Sequence, residues 1–302
     1  MDLLNAYLIQ SAIQAMTPVL LAAMCGVLCA RVGVFNMAIE GQILLSAFAA
    51  VVGSYYMHSA VAGVVFAVIV AMSFSTILAF GATSFRGDVV IISLAMNLLA
   101  AGLTAYLLRT VFHVAGTFAD PGIVGIGKVR APWVRSIPGL NLIIWGQSVI
   151  TFISWGALVL VSVILAKTPL GLRIRGIGEM PSAAETLGVN AQRYQQITVL
   201  LAGGLTGLAG AQLSLGSVTV FSENMSAGRG WIALVAVMLG RYSPVGAGAA
   251  CVLFAFADAV GLRLQSRGLP NQLTDIAPYV ATLIALAGSH HKFSSRSRAN
   301  IA

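Results

Sequence analysis

The 302-residue chain is 58% hydrophobic and 9% charged, with 17 Lys and Arg against 9 Asp and Glu, for a formal net charge of +8. A soluble domain carries roughly a quarter charged residues, so water-exposed globular domains are excluded and a lipid-embedded chain is indicated. The cations stand singly at the ends of apolar runs, as topology determinants do, and not in aromatic-interleaved clusters, so nucleic-acid binding is set aside.

A membrane-spanning helix needs about 20 mostly apolar residues. The first such run, Leu3 to Ala30, ends at Arg31. No basic segment precedes it and no small-residue cleavage site follows, so it reads as a retained span that also does the targeting. Cys25 and Cys29 lie one helical turn apart inside it, and Cys251 lies in a later run. All three read as packing residues, not as disulfides or metal ligands. The stretch "GVFNMAIEGQ" (Gly33 to Gln42) then brings Asn36 and Glu40 to the start of an uncharged run from Gly41 to Met57. A charge within a span costs roughly 2.5–3.5 kcal/mol on insertion scales. Glu40 therefore needs a compensating role, either as an ion pair or cap for broken backbone at a helix end, or along a path through the membrane.

Ala60 to Ala82 forms the next run, followed by Arg86 and Asp88. Val89 to Leu108 carries Asn97 mid-span, an amide suited either to tying helices together or to lining a pore. From Phe112 to Arg135 the chain is polar and rich in Gly and Pro, and the second half of Ser136 to Ala166 is apolar enough to span.

A polar insert occupies 167–193. Within it, Pro181 suits the first turn of a helix. Glu179 and Glu185 flank or enter that turn, Glu179 at the positive end of the helix dipole. Ala183, Ala184 and Leu187 form a small apolar face. Gly188 can take the left-handed conformation that ends a helix, and Asn190 can cap the next one. A helix of about two turns is unstable alone in water, so it docks, either on its own bundle or on a cytoplasmic partner.

Tyr194 to Ser222 is again uncharged. Gly203, Gly207 and Gly210 give it a small-residue face for close helix approach. Gln212 and Ser214 near its end divide between packing and path lining, and Phe221, Glu223 and Asn224 follow just beyond. Trp231 to Gly240 is too short to cross, and Gly228, Gly230, Gly240 and Pro244 bracket it. Such interrupted segments mark discontinuous helices, whose exposed backbone survives at membrane depth only against protein or a cavity. Gly33 to Gln42 has the same look, as the corresponding piece of an inverted repeat would. Tyr242 to Ala257 and Ile276 to Ser289 close the set, before a basic tail over 289–302 that includes His290 and His291.

The expected fold is thus an all-α polytopic membrane protein, one domain over 1–302. It has about eight to ten transmembrane helices, short discontinuous ones included. The 167–193 loop and the tail are the strongest cytoplasmic votes on the positive-inside rule, which leaves the N-terminus outside. No G-x-x-x-x-G-K-[ST] phosphate loop is present, and no H-E-x-x-H, G-x-S-x-G or paired mid-membrane aspartates. No catalytic residue, metal ligand or bound cofactor is assigned.

"GLRIRGIGEMPSAAETLGVN" resembles the cytoplasmic loop of permease subunits of ATP-binding-cassette importers. The nearest match is the group serving simple sugars and nucleosides, in the broad family that also holds ribose and branched-chain amino acid permeases. "RVGVFNMAIEGQILLSAFAA", "LAGGLTGLAGA", "GRGWIALVAVMLGRYSPVGA", "FADAVGLRLQ" and "IAPYVATLIALAG" fit the same pattern in the family's order.

The resemblance implies an inverted-repeat importer permease in the bacterial plasma membrane. It works with a second permease subunit, a cytoplasmic ATP-binding subunit that holds ATP and Mg, and an extracytoplasmic substrate-binding protein. It implies that Glu179, Pro181, Ala183, Ala184, Glu185, Gly188 and Asn190 form the coupling helix. Asn36, Glu40, Asn97, Gln212, Phe221 and Asn224 are the candidates for the translocation path, the last two suited to stacking on and hydrogen-bonding a nucleobase or sugar. The alternative is an ion-coupled secondary transporter working without an ATPase. It would want acids deep in several spans, where only Glu40 and Asp258 are near candidates.

Overall fold

The computed structural model describes residues 6–129 and 145–265. The basic tail and the expected span from Ile276 lie outside the described residues. Six described helices are long and apolar enough to cross a membrane. They are α1 (Ala6–Arg31), α3 (Ala60–Thr83), α4 (Val89–Val111), α5 (Val149–Lys167), α8 (Ala191–Ala211) and α10 (Pro244–Gln265). Alongside them stand α2 (Ile39–Met57), the short α6 (Pro169–Glu179) and α7 (Pro181–Thr186), and the half-length α9 (Arg229–Leu239). A two-residue antiparallel ladder pairs β1 (Thr117–Phe118) with β2 (Phe221–Ser222).

Helices win throughout because lipid offers no partner for backbone N–H and C=O groups, so each span must satisfy its own. The outer helices α3, α4 and α5 turn Val, Leu, Ile and Phe side chains outward, as at Val61, Leu98 and Val159. In contrast, α2 is buried along nearly its whole length, packed between α3, α4 and α8. Glycine makes that density possible. A Cβ on Gly207 would stand 2.6 Å from the Val68 Cα, and one on Gly210 2.5 Å from the Ile43 carbonyl oxygen. The small face of α8 therefore lies against α2 and α3 within one subunit.

The helix ends gather into two poles. At the first, the Arg31 Nε donates to the Tyr242 carbonyl at 2.7 Å, and Gln192 and Gln196 donate to the Ser84 hydroxyl at 2.9 and 3.0 Å. The α6–α7 segment lies at this pole. At the second, the hydroxyl of Ser54 donates to the Val124 carbonyl, and β1 meets β2. The aromatic rings of Tyr55, Phe112 and Phe118 cluster there, with Phe112 and Phe118 stacked at 4.0 Å.

Candidate functional site

The 167–193 insert is two helices, not one. The Thr168 hydroxyl caps α6 by accepting from the Gly171 N–H at 3.1 Å, with Pro169 at the first turn. Ile174 and Ile177 then sink into the bundle. Two glycines set how deep α6 sits. A Cβ on Gly171 would overlap the Ile164 carbonyl oxygen of α5, and a Cβ on Gly178 would overlap the Arg31 carbonyl oxygen of α1. The Arg173 guanidinium donates to the Tyr194 hydroxyl at 2.7 Å, which ties α6 to α8. Glu179 flanks the first turn of α7, as expected, and at the same time is the last residue of the earlier helix α6, which was not expected. The cap at Thr168 and the two buried isoleucines start helical structure well before Pro181, where the sequence pattern alone places its beginning.

From that base α7 projects. Pro181 stands in its first turn, and none of its residues is buried. Ala183 and Glu185 face solvent, Ala184 is half-buried, and Leu187 is 82% exposed. Of the expected apolar face only Ala184 packs against the bundle, and Ala183 and Leu187 are left in solvent. Gly188 takes φ +78° and ends the turn, and the Asn190 side chain accepts from the Arg193 N–H at 3.0 Å to start α8.

Deeper in the bundle the structure separates the path candidates. Glu40, in the first turn of α2, accepts from the Gly228 N–H at 2.8 Å and the Gly230 N–H at 2.7 Å. Its carboxylate caps the start of α9. Asn97 on α4 grips the chain on both sides of Glu40. Its oxygen accepts from the Gly41 N–H at 2.8 Å and its amide donates to the Met37 carbonyl at 2.9 Å. Asn36 is buried and donates to the Gln42 amide oxygen at 3.2 Å, while its own oxygen accepts from the Ala38 N–H. Gln42 donates onward to the Ser75 hydroxyl at 3.1 Å.

The other three candidates lie toward the second pole. Gln212 opens a π-helical continuation of α8 over Gln212–Val218 and accepts from the Ser148 hydroxyl at 2.6 Å. Phe221 is fully buried, edge-on to Phe48 with 5.1 Å between ring centroids. Asn224 is exposed with φ +57° in the turn before α9. Glu40 and Asn97 therefore meet at one joint, to which no described hydrogen bond ties the side chains of Gln212, Phe221 or Asn224.

Sequence reasoning passed over Gln42, Ser75, Thr206, Gln147 and Ser148. All five are buried. The only signal was a polar residue inside an apolar run, which does not say which helices the residue joins. The mild polarity of Ser and Thr is weaker still, since each can satisfy its hydroxyl on its own helix, as Ser75 does on the Ala71 carbonyl.

Comparison with known proteins identifies the architecture. Residues 7–286 match the family model described as branched-chain amino acid transport system, permease component. A guanosine ABC transporter permease of Bacillus subtilis is 33% identical over 282 residues, covering 90% of this chain and 88% of the relative. A nucleoside ABC transporter permease of Lactococcus lactis is 31% identical over the same shares. A putative glucose ABC transporter permease of Haloferax volcanii is 29% identical, covering 93% of this chain and 91% of the relative. No solved structure matches. These relatives set the ion-coupled alternative aside. The chain belongs to the permease family of the branched-chain amino acid transport system, the integral membrane subunits of ATP-binding-cassette transporters.

Proposed function

We propose that this permease carries a nucleoside inward across the bacterial cell membrane, with a simple sugar as the second choice of cargo. ATP and Mg are held and hydrolysed in a cytoplasmic ATP-binding subunit. A second permease subunit completes the path, and an extracytoplasmic binding protein delivers cargo at the second pole. The chain itself supplies no covalent chemistry. It offers alternate openings and a lever. The observation that carries this reading is the six-residue α7, which has no fully buried residue and stands at the tip of a helix wedged against α1 and α5. A short helix does not hold itself in water, and here only Ala184 packs on the bundle while the other five residues face solvent. A groove on the ATP-binding subunit would complete it. Motion of that subunit then reaches α1 through the Gly178–Arg31 contact, and α9 through the Arg31–Tyr242 hydrogen bond. The nucleoside assignment leans on the guanosine and nucleoside relatives.

The test is uptake into proteoliposomes that contain the permease with its ATP-binding subunit and binding protein. Labelled guanosine, ribose and leucine are compared, with and without internal ATP. Guanosine accumulation that requires ATP and exceeds the other two is the expected outcome. Accumulation driven by an ion gradient without the ATP-binding subunit, or a preference for leucine, would overturn the proposal.

A further inference from the structure

A cavity of about 510 Å³ opens at the second pole, between the C-terminal ends of α2 and α4 and the chain that carries β1. Small-molecule sites run from roughly 300 to 1,000 Å³ and join apolar walls to a few placed polar groups. The walls here are the rings of Tyr55, Tyr56, Phe112 and Phe118. Asp120 is the only charged residue among the described residues that line it. The rings also continue inward. Phe118 stacks on Phe112 at 4.0 Å, Phe112 stands edge-on to Phe48 at 6.1 Å, and Phe48 to the fully buried Phe221 at 5.1 Å.

The polar side of the cavity is fixed as firmly as the rings. One Asp120 oxygen accepts from the Gly122 N–H at 2.7 Å. Among the described residues, no hydrogen bond or ion pair reaches its other oxygen. A Cβ on Gly122 would stand 3.0 Å from the Asp120 carboxylate and 3.3 Å from the Tyr55 ring, so the missing side chain lets this turn sit against that ring. Glu223, the other acid of this pole, is already occupied: it pairs with Arg109 at 3.6 Å and accepts from the Gly116 N–H at 3.2 Å. The pairing of β1 with β2 holds Phe118 in the floor. Tyr56 is 60% exposed, which leaves much of its ring open to the cavity and the water beyond.

We propose that this cavity is an entry subsite for a nucleoside, whose base stacks on the Tyr56 ring while its N–H edge donates to the second oxygen of Asp120. An aromatic ring accepts any planar base through its π-face. An ionised carboxylate only accepts hydrogen bonds, so it draws N–H and O–H donors and turns anions away. The combination suits a flat, uncharged ligand that carries donors on one edge. A sugar alone has no face to stack, and an amino acid brings a carboxylate that Asp120 repels. The proposal rests on the reading that the cargo is a nucleoside arriving at this pole.

The experiment uses the full-length permease in lipid nanodiscs with Ala119→Cys, an exposed position in the cavity wall. The three native cysteines are buried, so the rate of maleimide labelling reads this site. Guanosine should slow labelling in a saturable way, whereas ribose, leucine and ethylguanidinium should not. Tyr56→Ala should raise the half-protecting concentration at least about fivefold, the low end for a base on an aromatic ring. Tyr56→Phe keeps the ring and should restore protection. Asp120→Asn keeps an oxygen for the Gly122 N–H but loses the charge, and should raise the half-protecting concentration about fivefold or more. Protection by ethylguanidinium in place of guanosine would make the cavity a seat for a cationic side chain of a partner protein and overturn the proposal. So would labelling that guanosine does not slow, or protection that Tyr56→Ala or Asp120→Asn leaves unchanged. ATP-dependent guanosine uptake by the complete complex is scored separately. Uptake without protection removes the subsite and keeps the transport reading. Protection without uptake removes the transport reading and keeps the subsite.

Discussion

Gly176 and Gly178 are two residues apart on the same short helix, and the structure gives them opposite meanings. A Cβ on Gly176 meets nothing within 4 Å, whereas one on Gly178 overlaps the Arg31 carbonyl oxygen. Glycine inside a helix costs roughly 0.5–1 kcal/mol relative to alanine, so Gly176→Ala should raise the thermal midpoint of the purified permease. Gly178→Ala forces α6 away from α1, and overpacking of that kind costs about 1–3 kcal/mol. Its midpoint should fall, and coupled uptake should fall with it, because the overlap lies between lever and bundle. Thermal unfolding of the two variants side by side checks this. Equal shifts would show that α6 does not rest on α1 as described. Nothing in "RIRGIGEM" tells the two glycines apart. The difference comes from a helix far earlier in the chain.

At the scale of elements, the polar insert shows what local pattern can and cannot reveal. Pro181, Gly188 and Asn190 act within a few residues of themselves, so start, stop and restart were legible. The long apolar runs were legible for the same reason, since the length of a run alone decides whether it can span. What local pattern could not show was α6. Its burial depends on Ile174 and Ile177 meeting other helices, and Thr168 caps it ahead of a segment that reads as an exposed loop. The β1–β2 pairing was equally hidden, because it joins Phe118 to Phe221 across the chain. The Glu40–Gly230 contact likewise spans 190 residues, so a lone acid in an apolar run implied a partner without naming it. The exposed α7 leads to a prediction of its own. Glu185 lies on its solvent-facing surface, so Glu185→Lys leaves the permease fold intact but presents the wrong charge to a partner groove. Like charges brought together at an interface cost several kcal/mol. Uptake should therefore drop at least about tenfold, and the ATP-binding subunit should no longer co-purify, while the permease elutes normally from a sizing column. Normal uptake by this variant would remove the docking role of α7.

For the whole molecule, the decisive property is which pole faces the cytoplasm, because the proposed lever and the proposed receptor surface stand at opposite poles. Among the described residues, Arg31, Arg86, Lys167, Arg193 and Arg241 lie at the α7 pole in short loops or at helix ends, and Arg173 and Arg175 lie there on α6. Arg109, Lys128 and Arg263 lie toward the other. Orientation follows the Lys and Arg near span ends in short loops, and the bias is therefore toward a cytoplasmic α7. The chain carries its own means of checking this. Its three cysteines, Cys25, Cys29 and Cys251, are all free and buried, so a single exposed cysteine can be added over a quiet background. Ser182→Cys places one on α7 and Ala119→Cys places one beside β1 at the opposite pole, both at exposed positions. A membrane-impermeant maleimide should label Ser182→Cys in inverted vesicles and spare it in right-side-out ones, with Ala119→Cys showing the reverse. The opposite pattern would put α7 where no ATP exists. A lever there could not take up the work of hydrolysis, however well Gly178 seats it against α1.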